Sequence, residues 1–312
     1  MEAKQRNAVL IYGCGTMGCG IACCGALAGE NIILLGRSAE SLEKGLERVK
    51  EDFEEMCRQE LCNEEDVKKA LPRISFTENL ESIQSRVKLV IEAINENLSL
   101  KQDLFCRLDS VLPPEVPILS NTSGIRITDI AMKMKHPERA LIAHFWLPAI
   151  LIPLVDIVIG ERSSPALAEE IKTYLSGWGK KPVIVKRDLP GQLANRIQQA
   201  VIREAVNIVE MGLATAEDVD TAIKMSFALR FPVWGPLEHV DAVGFDICES
   251  VQNTVLAEIS NRKEASPLFA KMRQEGNTGY KSGKGFYDWS KRDMKALMKK
   301  RNDFIVHALK NT

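Results

Sequence analysis

The chain has 312 residues, enough for two domains that each bury their own core. Its 41 lysines and arginines almost balance 42 aspartates and glutamates, so no global field draws it to nucleic acid or to an anionic membrane. The eight cysteines do not read as a disulfide set: Cys14, Cys19, Cys23 and Cys24 crowd around one glycine-rich turn, and the short polar lead Glu2–Asn7 leaves no room for a secretory signal. With no Cys-x-x-Cys pair there is no zinc pattern either, and the expectation is reduced thiols in a cytoplasmic protein that holds no metal.

The apolar run Ala8–Tyr12 breaks into Gly13-Cys14-Gly15-Thr16-Met17-Gly18, and a second apolar run, Asn31–Leu35, returns one helix later. A lone G-x-G-x-x-G says little, but strand before, helix after and a returning strand give it the context of a dinucleotide site. In that reading Gly13 makes the tight turn, Gly15 lets the backbone approach a pyrophosphate, and Gly18 lets the helix pack close on the strand. The helix from about Met17 to Ala28 then aims its free amides and positive dipole end at the pyrophosphate.

Further strands are expected at Leu89–Ala93, Ile118–Ser120, Leu141–His144, Ile152–Val158 and Val183–Val185, with helices between most of them, notably Ser41–Gln59 and Leu98–Val111. Such alternation predicts a parallel, doubly wound sheet. Ala140–Gly160 is long and apolar enough to raise the question of a membrane span. His144, Pro148, Pro153 and Asp156 argue instead for two short strands with an active loop between them. Beyond Asp188-Leu189-Pro190-Gly191 the pattern turns helical, as Ile197, Ala200, Val201, Ala205, Ile208 and Val209 share one face. A helix start is expected at Thr215-Ala-Glu-Asp218, no convincing strand follows, and the basic tail Lys291–Lys310 reads as a solvated covering helix.

Three polar clusters interrupt these apolar surroundings: Ser120-Asn121-Thr122-Ser123-Gly124 just after a strand, His144 with Asp156 twelve residues on, and Asn195 at the start of the helical half. A histidine backed by a carboxylate is a held general base, while Ser123 and Asn195 offer hydrogen bonds to a substrate oxygen. Taken singly, each has a plainer role as a strand-end, turn or cap residue.

Together they resemble the 3-hydroxyacyl-CoA dehydrogenase family, including its L-gulonate 3-dehydrogenase (lambda-crystallin) branch that uses free hydroxy acids. The matching residues are Gly13–Ala22, Val90–Ala93, Glu96-Asn97, Lys101, Ser120–Ser123, His144-Phe145, Pro148, Ile152–Val155 and Asn195-Arg196. Gly235–Glu238, Asp241, Gly244 and Gly283–Tyr287 continue the family order to the far end. The resemblance implies a Rossmann-type NAD(P)-binding domain over residues 1–187 and an all-helical substrate-binding and dimerisation domain over 188–312. It makes His144 the catalytic base, Asp156 its orienting carboxylate, and Ser123 and Asn195 the groups that contact the substrate. It places Gly13, Gly15, Thr16, Met17, Gly18, Ala93, Glu96, Lys101, Asn121 and Ser123 around the cofactor. The implied activity is NAD(P)-dependent interconversion of 3-hydroxyl and 3-oxo groups on an acyl substrate, carried out by a homodimer with neither nucleic acid nor membrane as partner.

Three departures shape the expectation. The orienting acid is commonly glutamate in the family, and Asp156 is one methylene shorter; Leu147 stands where an asparagine is common. After the second strand, where NAD enzymes usually carry an acid, this chain has Gly36-Arg37-Ser38, which favours NADP over NAD. On the carrier, Glu51-Asp52-Phe53-Glu54-Glu55 would repel the phosphates of CoA, and Arg230 matches the free-acid relatives as a partner for a substrate carboxylate. The motif Ser120–Ser123 keeps the thioester slightly ahead of a free 3-hydroxy acid, and a silent, crystallin-like nucleotide-binding protein is the alternative outside catalysis.

Overall fold

The structure, a computed structural model, describes residues 6–311; Glu2 to Gln5 of the polar lead lie outside them. The chain parts into two compact units, one ending at Asn195 and one beginning at Arg196.

The first unit alternates strands and helices: β1 (Ala8–Tyr12), α1 (Thr16–Leu27), β2 (Asn31–Leu35), α2 (Ala39–Arg58), α3 (Glu64–Ala70), β3 (Ile74–Thr77), β4 (Val87–Glu92), α4 (Leu98–Val111), β5 (Ile118–Ser120), α5 (Ile127–Ile130), β6 (Ala140–Phe145), β7 (Leu154–Val158), α6 (Pro165–Ser176) and β8 (Lys181–Val185). The eight strands form one sheet in the order β3-β2-β1-β4-β5-β6-β7-β8. β1 and β4 run parallel, and the order in which strands are added along the sheet reverses between them, so the glycine-rich turn and the end of β4 meet at the crevice where doubly wound sheets take ligands.

Two features depart from the sequence expectation. The sheet is not parallel throughout: β7 runs antiparallel to β6, and β8 follows β7 in parallel. Only the short stretch from Trp146 to Pro153 joins β6 to β7, whereas a parallel return needs a crossover of about a dozen residues or more. The edge strand β3, absent from the expected set, pairs with β2; its residues Ile-Ser-Phe-Thr are too few and too polar to register as an apolar run.

Helix faces follow from residue spacing. Gly45, Val49, Phe53 and Met56 bury one stripe of α2, and Leu104, Phe105 and Leu108 one stripe of α4. Helix α1 is buried on nearly all sides, and its glycines, alanines and cysteines are small enough to let it lie flat between the sheet and α2. All eight cysteines are free thiols, and burial pushes the Cys19 thiol up to about 12. No helix among the described residues is long and apolar enough to cross a membrane, and Ala140–Gly160 forms β6, a loop and β7.

The linker Asp188–Asn195 stays with the first unit, past the expected boundary at residue 187. The reason is local: Asp188 accepts from the Thr128 amide (2.8 Å), Gln192 donates to the Thr122 carbonyl (2.8 Å), and Asn195 donates to the Ser123 carbonyl (3.3 Å).

The second unit holds most of α7 (Ala194–Glu210), then α8 (Ala216–Lys224), α9 (Pro236–Val243), α10 (Phe245–Val255), α11 (Pro267–Gln274) and α12 (Met294–Asn311), and among its described residues only isolated bridges near 279–288 are extended pairings. Thr215 caps α8 as expected, accepting from the Asp218 amide at 3.1 Å.

Candidate active site

The glycine-rich turn is built by close approach. Gly13 has φ +125°, and a Cβ there would stand 2.5 Å from the Ala93 carbonyl oxygen; a Cβ on Gly18 would stand 1.9 Å from the Gly13 oxygen. Only glycine fits at either place. Above Gly15 nothing lies within 4 Å of a built Cβ, so the turn opens toward the crevice. Gly15 caps α1 without a side-chain hydrogen bond, and no acid sits in the first turn. Free amides, a positive helix end and open space fit the pyrophosphate of a dinucleotide.

Beyond β2, Gly36 is buried, and a Cβ there would press on Leu42 Cδ2 (2.5 Å) and Ser41 Oγ (2.6 Å). Ser41 is tied into a reciprocal capping box with Ser38, whose hydroxyl accepts the Ser41 amide at 3.3 Å. A side chain on residue 36 would have to displace the Leu42 and Ser41 side chains. Ser38 is the helix cap, while the exposed Arg37 makes no hydrogen bond or ion pair among the described residues.

A buried charge network supports the next wall. Lys101, only 1% exposed, places its ammonium 2.6 Å from Glu92 Oε1 and 3.4 Å from Glu96 Oε2. Glu92, fully buried, also accepts from the Ser120 hydroxyl (2.6 Å) and the Ile94 amide (2.7 Å). Glu96 accepts from the Thr122 hydroxyl (2.5 Å) and from the amides of Ser123 and Gly124 (3.2 Å each). Partial burial pushes the Glu96 carboxyl up, but the Thr122 hydroxyl, the Lys101 ammonium and the Gly124 amide outweigh it and hold it below the ordinary value. Lys101, expected to line the cofactor site, is enclosed, with its ammonium turned to Glu92 and Glu96. Glu96 in turn shapes the 122–124 turn.

That turn leaves the Ser123 side chain exposed, its hydroxyl without a hydrogen bond among the described residues. Asn195 reaches the Ser123 carbonyl, which puts the two expected substrate contacts side by side. Asn121 braces two strand ends, its Oδ1 accepting the Phe145 amide at 2.8 Å beside His144.

His144 and Asp156 are directly opposite in the β6–β7 register. Nδ1 of His144 lies 3.3 Å from Asp156 Oδ2, with the histidine 7% exposed and the aspartate fully buried. The antiparallel turn that sequence reading missed is what pairs residues twelve apart. Leu147, by contrast, is 61% exposed, so its apolar side chain faces outward where the resemblance leads one to expect an amide. Arg230 belongs to the second unit and is exposed.

Three residues of the site escaped sequence reading. Trp146 donates its indole N–H to the same Asp156 oxygen at 3.2 Å. The Lys180 ammonium is buried against the Ile152 (3.3 Å) and Ala149 carbonyls and pins the loop after His144. Gln192, with φ +50° and 4% exposure, clasps the Thr122 carbonyl. Only Trp146 carried a signal: it lies two residues after a strand-end histidine, the spacing that shares a face within a strand.

A dinucleotide turn at a sheet crevice, together with a carboxylate-backed histidine, defines a nicotinamide-dependent dehydrogenase. Comparison gives the particular family. Residues 8–189 match the 3-hydroxyacyl-CoA dehydrogenase NAD binding domain and residues 191–289 the C-terminal domain of the same enzymes, so the chain belongs to the 3-hydroxyacyl-CoA dehydrogenase family. It is 31% identical over 307 residues to a 5-formyl-3-hydroxy-2-methylpyridine 4-carboxylate 5-dehydrogenase of Mesorhizobium japonicum, covering 96% of each chain. It is 34% identical to a probable 3-hydroxybutyryl-CoA dehydrogenase of Bacillus subtilis, covering 94% of this chain and 99% of that one. Among solved structures, the 5-formyl-3-hydroxy-2-methylpyridine 4-carboxylic acid 5-dehydrogenase, described as an NAD+ dependent dismutase, superposes with a TM-score of 0.88 at 29% identity and 97% coverage of both chains. The (S)-3-hydroxybutyryl-CoA dehydrogenase of Ralstonia eutropha gives 0.74 at 31% identity, covering 92% of this chain and all of that one. The protein is an NAD-dependent oxidoreductase that acts on CH–OH donors of the 3-hydroxyacyl class.

Proposed function

We propose that this chain oxidises the C3 hydroxyl of a 3-hydroxyacyl substrate, and reduces the 3-oxo form, with His144 as the general base. The observation that carries the reading is the His144–Asp156 pair set across β6 and β7. Asp156 holds the Nδ1–H and stabilises the imidazolium, which leaves Nε2 to take the hydroxyl proton. The Ser123 hydroxyl and the second N–H of the Asn195 amide donate to the substrate oxygen as its charge develops. Gly13, Gly15, Thr16, Met17 and Gly18 would hold the pyrophosphate, with Ala93 beneath the turn, Glu96 beside it, and Asn121 and Lys101 supporting from behind. When bound, the nicotinamide supplies the two-electron acceptor.

The exposed Arg37 and the bare Gly36 support a preference for NADP over NAD, since no carboxylate repels a 2′-phosphate. On the carrier, the Ser120–Ser123 turn supports the thioester. A free 3-hydroxy acid is the second reading, favoured by the exposed Glu51 and Glu54 on α2 and by the closer superposition on the pyridine-carboxylate enzyme. One assay separates these readings: NADPH and NADH consumption with acetoacetyl-CoA, a free 3-oxo acid and a 2-oxo acid side by side. Turnover of acetoacetyl-CoA, faster with NADPH, is expected. A clear NADH preference removes the role given to Arg37, turnover of the free acid alone moves the substrate to the second reading, and consumption with none of the three leaves the silent alternative.

We infer a homodimer joined through the second unit. Among its described large apolar residues only Val206, Val219 and Val306 are buried, whereas Val233 and Leu237 are 82% and 79% exposed and Phe245 and Leu213 nearly as much. So much exposed apolar surface is characteristic of a subunit contact, and a twofold pair is the commonest way to cover it. Sedimentation equilibrium should give twice 34.7 kDa at micromolar concentration; the mass of one chain would refute the dimer.

A further inference from the structure

We propose that Trp146 is a positioning residue for His144: its indole N–H holds the Asp156 carboxylate in the orientation that fixes the imidazole. The inference rests on His144 being the base, as proposed above.

His144 lies near the end of β6 and faces Asp156 in the register with β7, and Trp146, the first residue past β6, turns its ring back onto the same carboxylate. Both donate to one oxygen, His144 Nδ1 at 3.3 Å and Trp146 Nε1 at 3.2 Å. The other oxygen, Oδ1, is buried and has no hydrogen-bond partner among the described residues. The imidazole contact is longer than most N–H···O bonds, and a single long bond leaves a short carboxylate free to turn about its Cβ–Cγ bond. A second donor of fixed direction stops that rotation with Oδ2 on the histidine side. An indole suits the task, because it only donates and because a half-buried indole N–H needs an acceptor. The ring also packs on the imidazole, with centroids 5.4 Å apart and planes inclined by 58°, which limits imidazole rotation. Asp156 reaches less far than glutamate would, and the Trp146 donor holds its carboxylate where the shorter side chain still meets Nδ1.

The direct test reads the tautomer of His144 rather than activity. The chain has four histidines, and the His144 signals in ¹⁵N spectra are assigned by their loss in His144→Gln. The wild type should show the Nδ1–H tautomer. Trp146→Phe, which keeps the ring, should show a mixture of tautomers, and Asp156→Ala should show the same mixture. An unchanged Nδ1–H spectrum in Trp146→Phe overturns the proposal. A converse measurement leaves residue 146 intact: in Asp156→Ala the Trp146 indole proton should move upfield, and a proton that stays in place also overturns it.

In kinetics, Trp146→Phe should lower kcat about tenfold with KM and the Kd for the reduced cofactor unchanged, and should cost nothing further in an Asp156→Ala background. Losses that multiply in the double variant show that Trp146 acts independently of the carboxylate and refute the assignment. A wild-type chain inert toward every acyl substrate, yet showing the tautomer change, would sink the role of His144 as base and leave only the positioning of its ring by Trp146 and Asp156.

Discussion

His144→Gln lowers kcat by about 10²–10⁴-fold, the usual worth of a positioned general base, while the Kd for reduced cofactor stays within about twofold of wild type. The expectation follows from where the two functions sit. The imidazole stands at the end of β6, held by Asp156 from β7. The dinucleotide turn follows β1 and is shaped by contacts among Gly13, Gly18 and Ala93, none of which involves residue 144. Glutamine preserves a polar side chain of similar reach but cannot take a proton near neutral pH. Single-turnover rates with a 3-oxo substrate, alongside fluorescence titration of the cofactor, check both halves. Turnover within about threefold of wild type would remove His144 as the base. A large loss of cofactor affinity would mean that the strand end has collapsed and that the rate says nothing of chemistry.

Much of this arrangement was legible in the residues, for identifiable reasons. The glycine turn could be read because each glycine answers a steric demand, and the built Cβ contacts at Gly13 and Gly18 are those demands in numbers. The pairing of His144 with Asp156 is suggested by two apolar runs that each carry a polar residue, although the residues themselves do not announce the antiparallel turn that makes them neighbours. Strand direction is a property of the connection, and here a loop containing two prolines was too short for a crossover. β3 was lost because an edge strand of four residues needs little apolar character. Lys180 and Gln192 left no trace at all, since a lysine buried on backbone carbonyls or a glutamine at positive φ looks in sequence like any polar loop residue. Lys101 did carry a readable sign: Leu104, Phe105 and Leu108, three, four and seven positions on, put it on the buried stripe of α4.

That buried stripe sets up the largest stability effect expected here. Lys101→Met destabilises the first unit by about 3–5 kcal/mol, because it leaves the fully buried Glu92 carboxylate without its cation. For a unit of this size the melting temperature falls on the order of 10 °C. The Ser120 hydroxyl and the Ile94 amide still donate to Glu92, but two neutral donors do not replace an ammonium at 2.6 Å. Glu96 loses the same cation, and with it one of the influences that keep its carboxyl ionised against the desolvation it suffers. Its hold on the Ser123 and Gly124 amides weakens, so cofactor affinity falls together with stability. Adding Glu92→Gln to Lys101→Met removes the stranded charge while keeping an acceptor for Ser120, and should recover most of the lost melting temperature but not the cofactor affinity. Thermal melts and cofactor titrations of the two single variants and the double one decide it. If Lys101→Met alone melts within about 2 °C of wild type, the Glu92–Lys101 pair is not what holds this wall of the site.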